Sequence, residues 1–289
     1  EVRKARNELF DEEKKKHLSV VPRVEKIEVV VKDAKPDDTV TLMMNRYLST
    51  PYNCAQHLHE LYAKRSLVAE IDDKMLWDMH RPLTDNCTLK FRHLQEADVS
   101  ELNRIFWRSC SFLLGMVVDK TFKDDIPVTL HSWPKPNVKS GSFVYDIQLP
   151  TLQEWKPNEA ELRTLTATFW KMRQAAYKFE RLSVSLKVAK EIFSDNQFKL
   201  QQLNSLKEEE DPKVTIYRVN DHIDFSIGPM IPNTSFIGRV SVTAVHPITV
   251  GDLKLYRFQA VAVPTEQRIN HFAFKVLMDR AAKLNKTAL

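Results

Sequence analysis

The residues best suited by type to do chemistry lie in two short stretches. The first, "HLHE" (57–60), offers two imidazoles and a carboxylate, a set that could ligate zinc or move a proton. His57 and His59 are two apart, however, and point to different sides of a helix, whereas a zinc helix needs histidines four apart on one face. No metal site is expected there. The second, "NDHIDFSIGPMIPNTS" (220–235), has the form of a binding site: a short strand ends at Asp224, and Ser226, Gly228 and Pro229 lead into a loop opened by Pro232. Around Asp224 stand Phe225, Ile227, Met230 and Ile231, which can neither bind a hard metal, shuttle a proton nor attack a carbonyl. The nine histidines are scattered, and no spacing of His, Ser and Asp marks a nucleophilic triad, which is in any case defined by geometry.

Composition narrows the field further. At 289 residues the chain suits roughly two domains, and 43% hydrophobic with 28% charged residues is ordinary for a soluble globular chain. No apolar run approaches the ~18 residues of a bilayer span, so no membrane insertion is expected. Forty-three Lys and Arg against 38 Asp and Glu give +5, which permits contact with phosphate without demanding it. Cys54, Cys87 and Cys110 are odd in number and outside any C-x-x-C, so a reducing compartment fits and neither a disulfide framework nor a zinc knuckle is indicated. The five glycines form no phosphate-cradling loop.

The elements that would position these residues are legible as patterns. Residues 1–17 are mostly charged with good helix formers, an arm expected to be helical where it docks. "VEKIEVVVKD" (24–33) reads as a strand, and "STPYNCAQHLHELYAKRSL" as one helix capped by Ser49 or Thr50 with Pro51 in its first turn. "LVAEIDDKMLWDM" reads as a hairpin through Asp72 and Asp73, and "CTLKFRHL" as a further strand, making a β-grasp-like unit with Trp77 as a core anchor. A long helix follows over 98–122, capped by Asp98 or Ser100, then a strand at 141–149 and a helix begun at Asn158, with Glu161 in a capping-box relation. A third helix is expected near 185–194, strands at "KVTIYRV", "GRVSVTAV" and "LKLYRFQAVAV", and a last helix from about Thr265. The charged stretch "LKEEEDPK" (206–213) reads as a loop, and "KLYRFQ" (254–259), with aromatic and basic residues alternating, as a weak candidate for nucleic-acid contact. The fold class is α+β.

"STPYNCAQHLHE" and "LVAEIDDKMLWDMHRPLTDNCTLKF" resemble the TGS domain of threonyl-tRNA synthetases. "FWRSCSFLLGMVVDKTF", "FVYDIQL", "FERLSVSLKVAKEIFSDNQFK" and "TIYRVNDHIDFSIGPMI" resemble, in order, the editing domain that follows it there. The resemblance implies an arm over 1–23, a TGS-like β-grasp domain over 24–95, an editing-like α+β domain over 96–264 and a C-terminal helix and tail over 265–289. In that family, H-x-x-x-H on the long helix and D-x-C-x-x-x-H after a strand position a substrate and a hydrolytic water. Here the matching positions are Arg108, Phe112, Asp224, Ser226 and Met230, so only the aspartate and the Gly228-Pro229 frame survive. Phe and Met cannot hydrogen-bond a water, and Arg stays protonated. An ion pair of Asp224 with Arg108 is the expected residue of that site, and no catalysis, cofactor, metal or small-molecule substrate is implied.

Motifs for amino-acid activation are missing, and a TGS plus unarmed editing-like pair resembles a family of mitochondrial large-subunit ribosomal proteins. That resemblance implies a non-catalytic component of the mitochondrial ribosome in the matrix, touching large-subunit ribosomal RNA and neighbouring ribosomal proteins. The RNA-contact candidates are Arg3, Lys4, Arg6, Lys14, Lys15 and Lys16 at one end and Lys283 and Lys286 at the other. The alternatives are a regulatory tRNA- or ligand-binding module and a free-standing aminoacyl-tRNA deacylase.

Overall fold

Alternation decides the first sheet. In β1 (Lys26–Lys35) the side chains of Ile27, Val29 and Val31 are buried, every second residue facing one core. The computed structural model describes residues 1–20, 23–35, 38–152, 154–206 and 212–288. The stretch 206–213, read as a loop, lies outside the described residues at 207–211. The chain divides into two compact units, both discontinuous in sequence. One comprises 1–105, 178–184 and 214–232, the other 106–177, 185–213 and 233–289. The first unit thus takes in three segments that sequence assigns to the later domain, 96–105, 178–184 and 214–232.

In the first unit, β1 pairs antiparallel with β2 (Asp38–Asn45) and parallel with β5 (Cys87–Arg92), and β3 (Val68–Ile71) and β4 (Met75–Trp77) complete a five-stranded sheet in the order β2-β1-β5-β3-β4. This is the expected β-grasp. Asp72 and Asp73 both adopt φ 53°, the left-handed pair that a tight hairpin requires and that aspartate tolerates. Strand β2 escaped the sequence reading, because its hydrophobic residues end in a continuous "LMM" without clean alternation.

The single helix expected after Thr50 is two. Thr50 caps α2 (Pro51–Leu58) through a reciprocal bond with Asn53, and at His59 the backbone becomes extended. The His59 Nδ1 then accepts from the Leu61 N–H at 3.1 Å and caps α3 (Glu60–Arg65). A histidine considered for a metal is spent as a helix cap. Buried Cys54, Trp77, Leu89 and Phe91 join the strand residues in this core. Burial pushes the Cys54 thiol up to about 12 and the Cys87 thiol up to about 11, so neither is a thiolate at neutral pH.

The arm carries the helix α1 (Val2–Ser19), whose one buried residue is Phe10, 1% exposed. It docks beside a three-stranded sheet, ordered β10-β9-β8, of β8 (Phe179–Ser185), β9 (Lys213–Val219) and β10 (His222–Phe225). Arg218 on β9 lies 4.2 Å from the Phe10 ring centroid and pairs with Asp11 and Glu180, while Lys14 reaches Glu180 at 2.5 Å. One aromatic anchor and a clustered ion-pair network hold a helix that lacks an apolar stripe.

The second unit is built on an antiparallel sheet, β11-β12-β7-β6: β6 (Thr129–Ser132), β7 (Phe143–Gln148), β11 (Ile237–Val250) and β12 (Leu253–Pro264). The helix α4 (Ser100–Thr121), whose Ser100 N–H bonds Asp98 as expected, enters this unit from Phe106 onward. Helix α5 (Glu159–Ala175) opens on the foreseen Asn158–Glu161 capping box. α6 (Leu186–Ile192) is capped by Ser185, and α7 (Gln197–Asn204), which no sequence signal marked strongly, by Asn196.

The last helix, α8 (His271–Ala281), starts six residues later than expected. Thr265 instead donates its N–H to Phe236 O, and Asn270 supplies the cap by accepting from Ala273 N–H at 2.8 Å. The "KLYRFQ" candidate also needs correction: Tyr256, Arg257, Phe258 and Gln259 are all buried, because β12 is an interior strand covered on both faces. It presents no stacking surface.

Candidate functional site

The loop after β10 belongs to the first unit and is filled by its own neighbours. Asp224 is fully buried, and its Oδ1 accepts from Phe225 N–H at 2.8 Å. Ser226 Oγ accepts from Gly228 N–H at 3.3 Å, and the Met230 side chain is 1% exposed. The Met230 N–H donates to Asp78 Oδ1 at 2.9 Å. The Tyr217 hydroxyl lies 2.9 and 3.0 Å from the two oxygens of the same carboxylate, and Arg181 Nε stands 3.6 Å away.

Asp78 is thus the central acid of this unit, and sequence reading missed it. A carboxylate inside the apolar run "LWDMH" was its one available signal. Burial raises the Asp78 pKa, opposed by the Met230 N–H, Arg181 and Tyr217, and burial beside Asp78 drives the Tyr217 phenol well above its ordinary value. Tyr217 therefore remains a donor, and both oxygens of Asp78 are engaged. Gly228 is required here: its φ is +65°, and a Cβ would stand 1.9 Å from the Tyr217 hydroxyl.

His80 follows Asp78 by two residues. Its ring stacks tilted on Tyr52 at 4.8 Å, and its buried Nε2 has no hydrogen-bond partner among the described residues. Burial, helped by Lys178, lowers its pKa from 6.5 to about 4. A histidine depressed in the fold binds fewer protons than in the unfolded chain, so stability is full above about 6.5 and drains away as pH falls toward 4. Urea unfolding is expected to show roughly 2 kcal/mol less stability at pH 5 than at neutral pH from this group, and His80→Phe should remove that share of the slope. An unchanged slope in the variant would reject the assignment.

Arg108 and Phe112 lie on α4 in the second unit. Phe112 is fully buried, edge-on to Trp133 with ring centroids 6.3 Å apart, and Arg108 is half-buried. Lys199 of α7, 2% exposed, bonds the Tyr145 hydroxyl at 3.0 Å and sits 5.3 and 5.5 Å from the Trp133 and Tyr145 ring centroids. That buried lysine is a second group the sequence did not announce. Gly115 allows the closeness of the layers, since a Cβ there would lie 2.5 Å from the Tyr145 ring. The packing is aromatic, with the ammonium held by a hydroxyl and two π faces.

The basic candidates divide sharply. On α1, Arg3 stands 3.7 Å from Asp221, Lys4 pairs with Glu8, Lys14 with Glu180 and Lys16 with Glu13, while Lys15 is exposed and Arg6 half-buried. Lys283 and Lys286 are exposed on either side of Asn285, which is itself 5% exposed. No helix among the described residues is long and apolar enough to cross a membrane, and no group of three His, Cys, Asp or Glu is gathered for a metal.

Comparison with known proteins fits this geometry. The TGS domain model matches residues 27–92, the β-grasp sheet. A probable cytoplasmic threonine–tRNA ligase of Dictyostelium discoideum is 26% identical over 83% of this chain, and a mitochondrial threonine–tRNA ligase of Arabidopsis thaliana 29% identical over 66%. The chain spans only 31% and 25% of those ligases. The large ribosomal subunit protein mL39 of Drosophila melanogaster is 44% identical over 280 residues, covering 96% of this chain and 83% of the relative. Likeness to a ribosomal protein over almost the whole chain, set against partial and distant likeness to the ligases, decides the family: the chain belongs to the mL39 family of large ribosomal subunit proteins, a family of ribosomal components and not of enzymes.

Proposed function

We propose that the chain is a non-catalytic structural component of the mitochondrial large ribosomal subunit in the matrix, where it contacts ribosomal RNA and neighbouring ribosomal proteins. The observation that carries this reading is the 44% identity with a large-subunit protein over almost the entire chain. The side chains support it. By the resemblance to the ligase editing domain, Arg108, Phe112, Ser226 and Met230 fall where that family has its reactive groups, and Phe112 and Met230 are each buried within their own unit. An editing-type scaffold has become a docking module.

Affinity purification of the tagged chain from mitochondria tests the partners directly. Large-subunit proteins and large-subunit RNA are expected in near-equal molar amount, and recovery of the chain alone contradicts the reading. The absence of catalysis has its own assay. Purified chain should leave seryl-tRNA bearing a threonine anticodon as stable as buffer does. Hydrolysis that disappears in Asp224→Ala would restore the deacylase alternative.

A further inference from the structure

Resting on the ribosomal reading, we propose that the RNA-facing surface of this chain is the exposed side of α8 and its tail, with Phe272 as a stacking platform for an unpaired base and Arg268, Lys275, Lys283 and Lys286 as phosphate contacts.

Charge favours this end over the other. Residues 265–288 hold five Lys and Arg against two acids, so +3 of the chain's +5 resides in this short segment. Residues 1–20 hold six cations against five acids, and four of those cations already face carboxylates within the first unit. On α8 the inward residues Phe274 and Ala281, with Leu277 and Met278, pack against Val261 and Val263 of β12. The opposite side carries Phe272, 77% exposed, and Val276, 53% exposed, one turn apart, with Lys275 beside them. Asp279, exposed one turn after Lys275, is the one acid of the helix. A large aromatic ring open to water beside a cation is a combination that binds unpaired nucleotides, the ring taking a base face and the cation the backbone.

The tail is a built structure, which lowers the ordering cost of presenting its lysines. Arg257 Nη1 donates to Asn285 O and Thr287 O at 2.7 and 2.8 Å, and Gln259 Nε2 donates to Ala281 O and Lys283 O, both at 2.8 Å. Asn285 N–H returns a bond to Gln259 Oε1 at 2.7 Å. Two buried polar side chains of β12 thereby fix the backbone from which Lys283 and Lys286 project. The net charge of +3 over 265–288 favours a polyanion, here RNA, over an apolar protein face as the occupant.

The test is equilibrium binding of the purified full chain to a fluorescent single-stranded oligouridylate across a salt series, with gradient co-migration of the same variants from mitochondria. Phe272→Ala should weaken binding about tenfold, and Phe272→Tyr, which keeps a ring, should stay near the parent. Lys275→Ala and Lys283→Ala should each lower the salt slope by about one, and Lys15→Ala should leave it unchanged. These substitutions are at exposed positions, and circular dichroism checks that each variant is folded. Parent-like RNA binding by Phe272→Ala overturns the proposal. So does an equal loss in Phe272→Tyr with no change in salt slope, which would make the face a protein contact. A chain that co-migrates with the large subunit yet fails to bind RNA also overturns it while leaving the ribosomal reading intact. A chain that does neither overturns both.

Discussion

Asp146→Ala is expected to unfold the second unit about 10 °C earlier than the parent. Arg257 lies directly opposite Asp146 across β12 and β7, with Nε and Nη2 bonded to Oδ1 and Oδ2 at 2.8 and 2.7 Å. The two side chains are 1% and 6% exposed, so removing the carboxylate strands a guanidinium in the sheet. Breaking one side of a buried pair costs about 3–5 kcal/mol, because the surviving charge keeps its desolvation penalty. For a unit of this size that corresponds to a fall on the order of 10 °C. The double variant Asp146→Leu/Arg257→Met should recover part of the loss, since apolar residues replace the pair without leaving a charge. Full recovery is not expected, because Arg257 Nη1 also holds the tail carbonyls of Asn285 and Thr287. Differential scanning fluorimetry reads both values, and a parent-like transition for Asp146→Ala contradicts the assignment.

Gly228→Ala carries the second large effect, and it explains why the loop after β10 keeps its form without its chemistry. Two penalties combine. The backbone at φ +65° is unfavourable for any residue with a Cβ, by about 1–2 kcal/mol. The added methyl would also displace the Tyr217 hydroxyl from Asp78, leaving a buried carboxylate short of a donor at a further ~1–3 kcal/mol. A total near 3 kcal/mol should appear as a lower urea midpoint. Tyr217→Phe isolates the second penalty, because it removes the hydroxyl that the methyl would strike. In a double-mutant cycle the two substitutions should therefore be markedly less than additive. Strict additivity would show that Gly228 does not act through Tyr217.

How much of this was legible follows from the range of the forces involved. Local signals were reliable: a cap at Ser49 or Thr50, which the structure assigns to Thr50, Asn158 with Glu161, and the Asp72–Asp73 turn each act within a few residues and stand where the sequence placed them. The His59 break was not legible, because a histidine acting as a helix cap has no distinctive pattern. Burial of Arg257 was hidden for a different reason. Its partner Asp146 is far away in sequence, and only the strand order β12-β7 brings them opposite. The same holds for Asp78, whose donors Tyr217 and Met230 arrive from a distant segment. The candidate site was legible as a loss, since Phe112 and Met230 lack reactive atoms wherever they lie. The Asp78–Tyr217 bond of the first unit and the Lys199–Tyr145 bond of the second each needed tertiary structure to be seen.

The central claim is that this chain is a building part of the large ribosomal subunit, and sedimentation tests it most directly. Tagged chain in mitochondrial lysate would be run through a density gradient with and without magnesium depletion, and through high salt. The account predicts near-stoichiometric co-migration with the large subunit that resists salt and follows that subunit when magnesium loss separates the particles. Recovery of the chain as a free protein at the top of every gradient would contradict it.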